Sequence, residues 1–296
     1  MLIDVVLPYY GDVDYMKAAA SSVMNQTHED WRLLVVDDGY PDDEPARWFA
    51  GLSARDSRVR YQRNEVNLGA NGNYRKGLGL VTADVVVVMG ADYIMLPNYL
   101  ACVSEAFTEF PDAAAFECGV QVIDENDRAV RPLGDAIKSY VAPHARERVE
   151  LRGESLAAGL MQGNWTYFPS LAWRTDVVQR IGFREGLDVV QDLALLSDVV
   201  TADGTLVYDP RLAFLYRRHS ESDSSVRALD GRRFDEERRF FDEQADRFTQ
   251  KGWDRAARAA RLHPTSRLNA LSLVPRAARS RSTRSGVGPL LRHAIG

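Results

Sequence analysis

Cysteine is scarce in this chain. Cys102 and Cys118 are its two cysteines, too few for a disulfide framework. Both stand in apolar surroundings, which predicts reduced core residues in a cytosolic protein. Long apolar runs are missing too: none reaches the roughly 20 residues of a membrane span. The first residues carry neither the basic flank nor the small-residue cleavage site of a secretory signal. Residues 2–7 read instead as a strand that opens a domain at once. Gly and Pro number 21 and 12 in 296 residues, hydrophobic residues make up 45% and charged residues 27%. That composition excludes a collagen-like or wholly disordered chain. It leaves room for one large α/β domain, alone or with an appended segment.

Acidic residues are absent from one end. From Arg255 onward there are nine arginines and no Asp or Glu, so the rest of the chain holds 28 of the 37 basic residues against all 42 acidic ones. A body this acidic argues against nucleic acid as a partner. The basic tail suits anionic lipid, an acidic partner or the body itself. Leu290, Leu291 and Ile295 among arginines suggest a weak contact with a membrane surface, so the expected location is cytoplasmic, with a peripheral position at the inner face of the membrane as the variant. The charged segment 232–261 is expected to be a solvated helix or helix pair packed on the body through Phe234, Phe240, Phe241 and Phe248. Its alternatives are a homodimer contact and a dock for the tail.

Strand and helix patterns alternate through the first half. Residues 3–8, 31–36, 58–62, 84–89 and 113–122 read as strands. Residues 14–25, 44–54, 71–81 and 97–110 read as helices. Single helices between strands imply right-handed βαβ units and a mostly parallel sheet. A ligand then sits beyond the carboxyl ends of the strands, at residues 8–12, 37–40, 67–69 and 90–93. The second half is less regular. Residues 124–150 are expected to hold an excursion or mobile loop, and 164–169 an aromatic-rich loop. Residues 175–181 and 189–201 read as helices, and 205–216 as one or two strands. Pro264 and Pro275 are expected to break the C-terminal segment beyond residue 261, and 280–288 to be loose.

Three places carry chemistry. Asp37 and Asp38 end an apolar strand, where two carboxylates repel unless a donor or a cation meets them. A nucleobase imino group or a ribose hydroxyl would do so, as would an ordinary turn closed by Gly39. Asp92 follows the most apolar strand and suits a hard cation that keeps phosphate oxygens in its shell. Asp192 opens an amphipathic helix, as a dipole-stabilised carboxylate or as a general base.

The ordered set Val6-Leu7-Pro8-Tyr9-Tyr10, Ser21 to Thr27, Val35-Val36-Asp37-Asp38-Gly39, Asn67-Leu68-Gly69 and Gly90-Ala91-Asp92 resembles the family 2 glycosyltransferases of GT-A fold. The resemblance runs over residues 2–100, with a fainter continuation to His219. It implies an α/β, Rossmann-like, mostly parallel sheet flanked by helices, with a C-terminal helical extension. Residues 1–225 would form the GT-A unit, 1–122 on the nucleotide-sugar side and 123–225 on the acceptor and catalytic side. Residues 226–296 would form the extension and basic tail.

The resemblance also implies roles. Pro8 and Tyr10 would pack against the base. Asp37 and Asp38 would bind the nucleoside. Asn67, Gly69 and Ala91 would complete the nucleotide-sugar pocket. Asp92 and His219 would hold Mg²⁺ or Mn²⁺ and, through it, the diphosphate. Asp192 would be the base of an inverting transfer from a UDP- or dTDP-sugar to the hydroxyl of a glycan, lipid-linked precursor or small molecule. Trp165 would face the acceptor, since aromatic faces take sugar rings. Arg217 and Arg218 would aid phosphate, at most one of them, because neighbours on a strand point opposite ways.

Three departures stand out. Gly90 replaces the first carboxylate of the DxD motif. Gln191 replaces the usual Glu before the base, which removes a like charge and favours ionisation of Asp192. Asn73-Tyr74-Arg75 stands where Ala-Arg-Asn is usual, which shifts the cation to Arg75. No Gln-x-x-Arg-Trp motif occurs, which favours a single-addition enzyme over a processive synthase. Two rivals remain: a non-catalytic nucleotide-sugar binder, kept open by Gly90, and a sugar-phosphate nucleotidyltransferase. The latter needs a basic Gly-rich loop after the first strand, and residues 8–12 carry none.

Overall fold

A computed structural model describes residues 1–187, 189–218, 232–279 and 286–295. The alternating pattern of the first half is realised as β1 (Ile3–Tyr9), α1 (Val13–Met24), β2 (Trp31–Asp37), α2 (Glu44–Ser53), β3 (Val59–Arg63), α3 (Gly69–Gly79) and β4 (Val85–Val88). A short β5 (Ile94–Met95) and α4 (Tyr99–Glu109) lead to β6 (Ala115–Ile123). Strands β1 to β4 pair in parallel in the order β3-β2-β1-β4. Beyond β4 the sheet turns mixed. β8 (Ala172–Arg174) runs antiparallel between β4 and β6, and β9 (Leu206–Arg217) lies parallel to β6.

Both faces of the sheet are covered, so its strands are apolar throughout rather than alternating. Val6, Leu34, Val36, Val86 and Val88 enter one core, and Val5, Leu7, Leu33, Val35, Val85 and Val87 enter the other. The period of two is the pleat of the strand. α1 is capped by Asp12, whose Oδ1 accepts from the N–H groups of Asp14 and Tyr15 at 2.8 and 2.9 Å. α3 presses so closely on β1 that a Cβ at Gly77 would stand 2.4 Å from Val6 Cγ1.

The excursion expected over 124–150 is ordered. A turn in which Asp124 accepts from the N–H groups of Asn126 and Arg128 is followed by α5 (Leu133–Val141) and β7 (Val149–Leu151). Next come α6 (Gly153–Gly163), which the periodicity did not reveal, then α7 (Thr175–Ile181) and α8 (Gln191–Thr201).

The charged C-terminal region forms α9 (Arg232–Gln250), α10 (Asp254–Leu262), α11 (Pro264–Arg279) and α12 (Val287–Ile295). Phe240, Phe241 and Phe248 join the core that also holds Val6 and Leu193, whereas Phe234 joins a smaller cluster with Ala270, Ala277 and Leu290. The break expected at Pro264 is present, since α10 ends at Leu262, but Pro275 breaks nothing. Pro264 starts α11, where its missing N–H has no partner to lose. Pro275 lies inside α11; it and Leu271, whose carbonyl loses its donor, are both exposed. α9 also clamps α8: Asp198 binds Arg184 at 2.6 Å and Arg247 at 2.6 Å, and Arg184 reaches Glu243. Against burial, which pushes it up, these guanidiniums hold the Asp198 carboxyl below its ordinary value.

Candidate active site

The parallel register sets the first wall of the site. Tyr9 of β1 lies opposite Asp37 of β2, and Val6 opposite Val88 of β4. The carboxyl ends of β2 and β4 therefore flank the end of β1. Pro8 is buried in that register, while Tyr10 just beyond is 59% exposed. The Tyr10 ring meets Tyr40 edge-on at 5.9 Å, and Tyr40 leans on Tyr9 at 5.2 Å. Together they form an aromatic rim beside Asp37.

The two aspartates of the turn have different surroundings. Asp37 is wholly buried; its Oδ1 accepts from the Tyr40 N–H at 2.7 Å and its Oδ2 from the Tyr61 hydroxyl. Each oxygen keeps a lone pair beyond these bonds. Asp38 turns inward, and its Oδ1 accepts from Asn64 Nδ2 and from the Leu68 N–H, both at 2.8 Å. Asn64 continues to Asn73, which donates to the Val36 carbonyl. Asp38 thus pins the loop holding Asn67 and Gly69 to the strand end. Asn67 and Gly69 are exposed at the start of α3, with the Gly69 N–H donating to Asn67 Oδ1 at 3.0 Å.

Gly90, Ala91 and Asp92 leave β4 in a tight turn. A Cβ at Gly90 would lie 2.7 Å from Tyr93 Cε2. The Tyr93 ring is stacked on Tyr216 at 4.7 Å and has little room to give. The absent carboxylate is therefore coupled to an aromatic pair that fills its space. Arg217, 3% exposed, donates from Nε to the Asp92 carbonyl at 3.0 Å, and from Nη1 to the Asp124 carbonyl and to Asp127. It lies over the Tyr15 ring as well. Arg217 positions the Asp92 loop rather than facing a phosphate.

Asp192 stands half-buried at the start of α8. Burial pushes its carboxyl above the ordinary value, against the Leu193 N–H and the positive charges of Lys138 and Arg233. The negative charges of Asp92 and Asp192 both reach Tyr74 and Tyr216. With burial as the larger cause, they raise both hydroxyls, Tyr74 to about 12. Two carboxylates a hundred residues apart thus lie near enough to the same two tyrosines for their charges to act on both.

Tyr74, not Arg75, is the α3 residue turned toward those carboxylates. Arg75 follows it by one residue, about 100° round the helix, and is exposed. Arg218 is held by both oxygens of buried Asp135, at 3.1 and 2.8 Å, and Asp135 also accepts from the Tyr167 hydroxyl. His219 lies outside the described residues.

Trp165 is 4% exposed, edge-on to Tyr208 at 5.7 Å, so it is not the open platform the loop composition suggested. It lines a cavity of about 130 Å³ with Glu117, Lys138, Tyr167 and Tyr208. Burial raises the Glu117 carboxyl to about 8 and lowers Lys138 to about 8. Glu117 Oε1 accepts from Ser170 at 2.7 Å, and Lys138 donates to the Thr166 carbonyl at 2.7 Å.

Sequence reasoning missed Tyr74, Lys138 and Glu236. Glu236 reaches from α9 to accept from the N–H groups of Val189 and Val190 at 2.7 and 3.0 Å, just before Asp192. Nothing in the local pattern marks it. Among the described residues, no three His, Cys, Asp or Glu side chains come together to hold a metal ion. Asp92 is the one carboxylate of the DxD position, so the described donors do not by themselves make a metal site.

A parallel sheet half with a carboxylate-bearing rim, joined to a mixed half that supplies Asp192, defines a GT-A type fold. Solved structures agree. S. aureus TarS 1–349 in complex with UDP-GlcNAc matches with a TM-score of 0.66 and 14% identity, over 99% of this chain and 90% of that one. The mannosyltransferase PcManGT from Pyrobaculum calidifontis, in complex with GDP-Man and Mn²⁺, matches with a TM-score of 0.60 and 14% identity, over 99% and 86%. The model of glycosyl transferase family 2 matches residues 4–174, and the chain belongs to that family. An uncharacterized glycosyltransferase of Nostoc sp. is 26% identical over 194 residues, 61% of this chain. The chain spans about half of that relative, with 53% of its length covered.

Proposed function

We propose that the chain is an inverting glycosyltransferase that moves a sugar from a UDP- or dTDP-sugar to a hydroxyl of a glycan, lipid-linked precursor or small molecule. The observation that supports this reading is the convergence of Asp92 and Asp192 on Tyr74 and Tyr216. In it, Asp192 takes the proton of the acceptor hydroxyl while that oxygen attacks the anomeric carbon. The nucleoside diphosphate leaves from the opposite face. Burial makes Asp192 a stronger base than an exposed aspartate, which suits general-base work.

Pro8, Tyr10 and Tyr40 would pack against the base, and Asp37 would accept from it through its remaining lone pairs. Asp38 would shape the pocket by holding Asn67 and Gly69 in place. Asp92 and Ala91 would lie against the diphosphate. A divalent ion, Mg²⁺ or Mn²⁺, held by Asp92 and His219, would neutralise the departing diphosphate. The cavity beside Trp165 would take part of the acceptor.

The test is Asp192→Asn, assayed for sugar transfer and for donor binding. Transfer should fall by about 100- to 10,000-fold with donor binding retained. Transfer near the wild-type rate overturns the assignment. A second reading, a nucleotide-sugar binder without catalysis, is favoured by Gly90 alone. Donor binding by the wild-type chain with no release of free nucleotide, with or without Mn²⁺, would establish it instead.

A further inference from the structure

The C-terminal helices turn a basic and apolar face to solvent. On α10, Ala256, Ala257, Ala259 and Ala260 are buried, which leaves Arg255, Arg258, Arg261 and Leu262 exposed one turn apart. α10 ends at His263, where φ is +24°. On α11, Pro264, Leu268, Leu271 and Pro275 recur every three or four residues and are all exposed, while Ala270 and Ala277 are buried. α12 adds Leu291, Arg292 and Ile295. Leu262, Leu268, Leu271 and Ile295 are 55, 58, 51 and 79% exposed.

A single exposed leucine needs no explanation. A stripe of them beside arginines does. Asp254 is the last acid in the sequence. Among the described residues, none of Arg255, Arg258, Arg261 and Arg292 enters an ion pair; Arg261 makes one neutral hydrogen bond, to Thr249. Residues 1–254 hold 28 basic against 42 acidic residues, so these arginines belong to a basic segment that follows an acidic one. Among the described residues, no helix is long and apolar enough to cross a membrane. Leucines flanked by arginines at helical spacing, lying flat on a folded body, match the interfacial region of a bilayer, where the leucines enter the acyl boundary and the guanidiniums meet phosphate.

We propose that the exposed face of α10 and α11, extended by α12, docks on an anionic phospholipid bilayer. The inference is independent of the transfer reaction and is tested without an activity readout. The full chain is floated with vesicles of phosphatidylcholine alone and of phosphatidylcholine mixed with phosphatidylglycerol. Binding is expected to the mixed vesicles and not to the neutral ones, and it should weaken as salt rises. Leu268→Ser with Leu271→Ser should abolish binding. Arg255→Gln with Arg258→Gln and Arg261→Gln should weaken it by about tenfold or more. Both variants should keep the wild-type unfolding midpoint, since these side chains are exposed. Three results would overturn the proposal: no binding to phosphatidylglycerol vesicles, binding unchanged in the leucine variant, or a wild-type dimer in sedimentation equilibrium that the leucine variant converts to monomer.

Discussion

Arg217 donates to the backbone carbonyl of Asp92 at 3.0 Å, across 125 residues of sequence. The last residue of β9 thereby sets the position of the turn that carries Asp92, the carboxylate proposed to face the diphosphate. Lysine at 217 keeps a charge but lacks the fork that serves the Asp92 and Asp124 carbonyls and Asp127 together. Arg217→Lys should lower stability by about 1–3 kcal/mol, read by denaturant unfolding, and should weaken donor binding. Unchanged donor affinity would detach Asp92 from the donor.

Gly90 and Tyr93 occupy one space between them. Gly90→Asp, which restores the usual motif, should destabilise the fold by about 1–3 kcal/mol because the stacked ring must move. Gly90→Asp combined with Tyr93→Ser should recover part of that loss relative to Tyr93→Ser alone. A thermodynamic cycle on the two positions measures it, and strict additivity would show that they do not compete.

Asp192 must be unprotonated to act as a base, and burial raises its pKa. The acid limb of kcat should therefore lie above the value of about 3.9 for an exposed aspartate, with activity rising as pH rises through it. Gln191→Glu adds a like charge and should move the limb to higher pH. Lys138→Met removes a cation that favours the carboxylate and should move it the same way. A pH–rate profile that is flat across the region above pH 3.9 would remove Asp192 from the rate-limiting proton transfer.

Glu236 fixes the backbone before Asp192 from another helix. Glu236→Ala should lower kcat by up to about 100-fold while the donor dissociation constant stays put, and Glu236→Gln should restore part of the rate. Equal losses in kcat and donor affinity would mean that α9 supports the whole fold rather than the base.

Much of the parallel half was legible because each element there is local. A buried strand writes an apolar run, an amphipathic helix writes a period near 3.6, and the polar residues after Leu7, Val36 and Met89 mark the sheet edge. The mixed half was less legible. α6 carries apolar residues on too much of its surface to read as amphipathic, and Pro275 misled because an exposed helix position tolerates proline. Trp165 misled in another way: the aromatic-rich loop 164–169 was expected to face an acceptor, yet Trp165 is buried edge-on to Tyr208.

The order of strands and helices in the parallel half, the carboxylates at strand ends and the missing partner at Gly90 are all properties of neighbouring residues, so the sequence alone determined them. Where each carboxylate sits was decided by tertiary structure. Asp38 is turned inward by Asn64 and Leu68, Asp92 is placed by Arg217, and Asp192 is set by Glu236 from a helix that looked like an appendage. Each of those contacts joins groups far apart in the chain. Its strength comes from burial, where a hydrogen bond is lost at full desolvation cost if its partner is absent, and burial exists only once the sheet and its covering helices have closed.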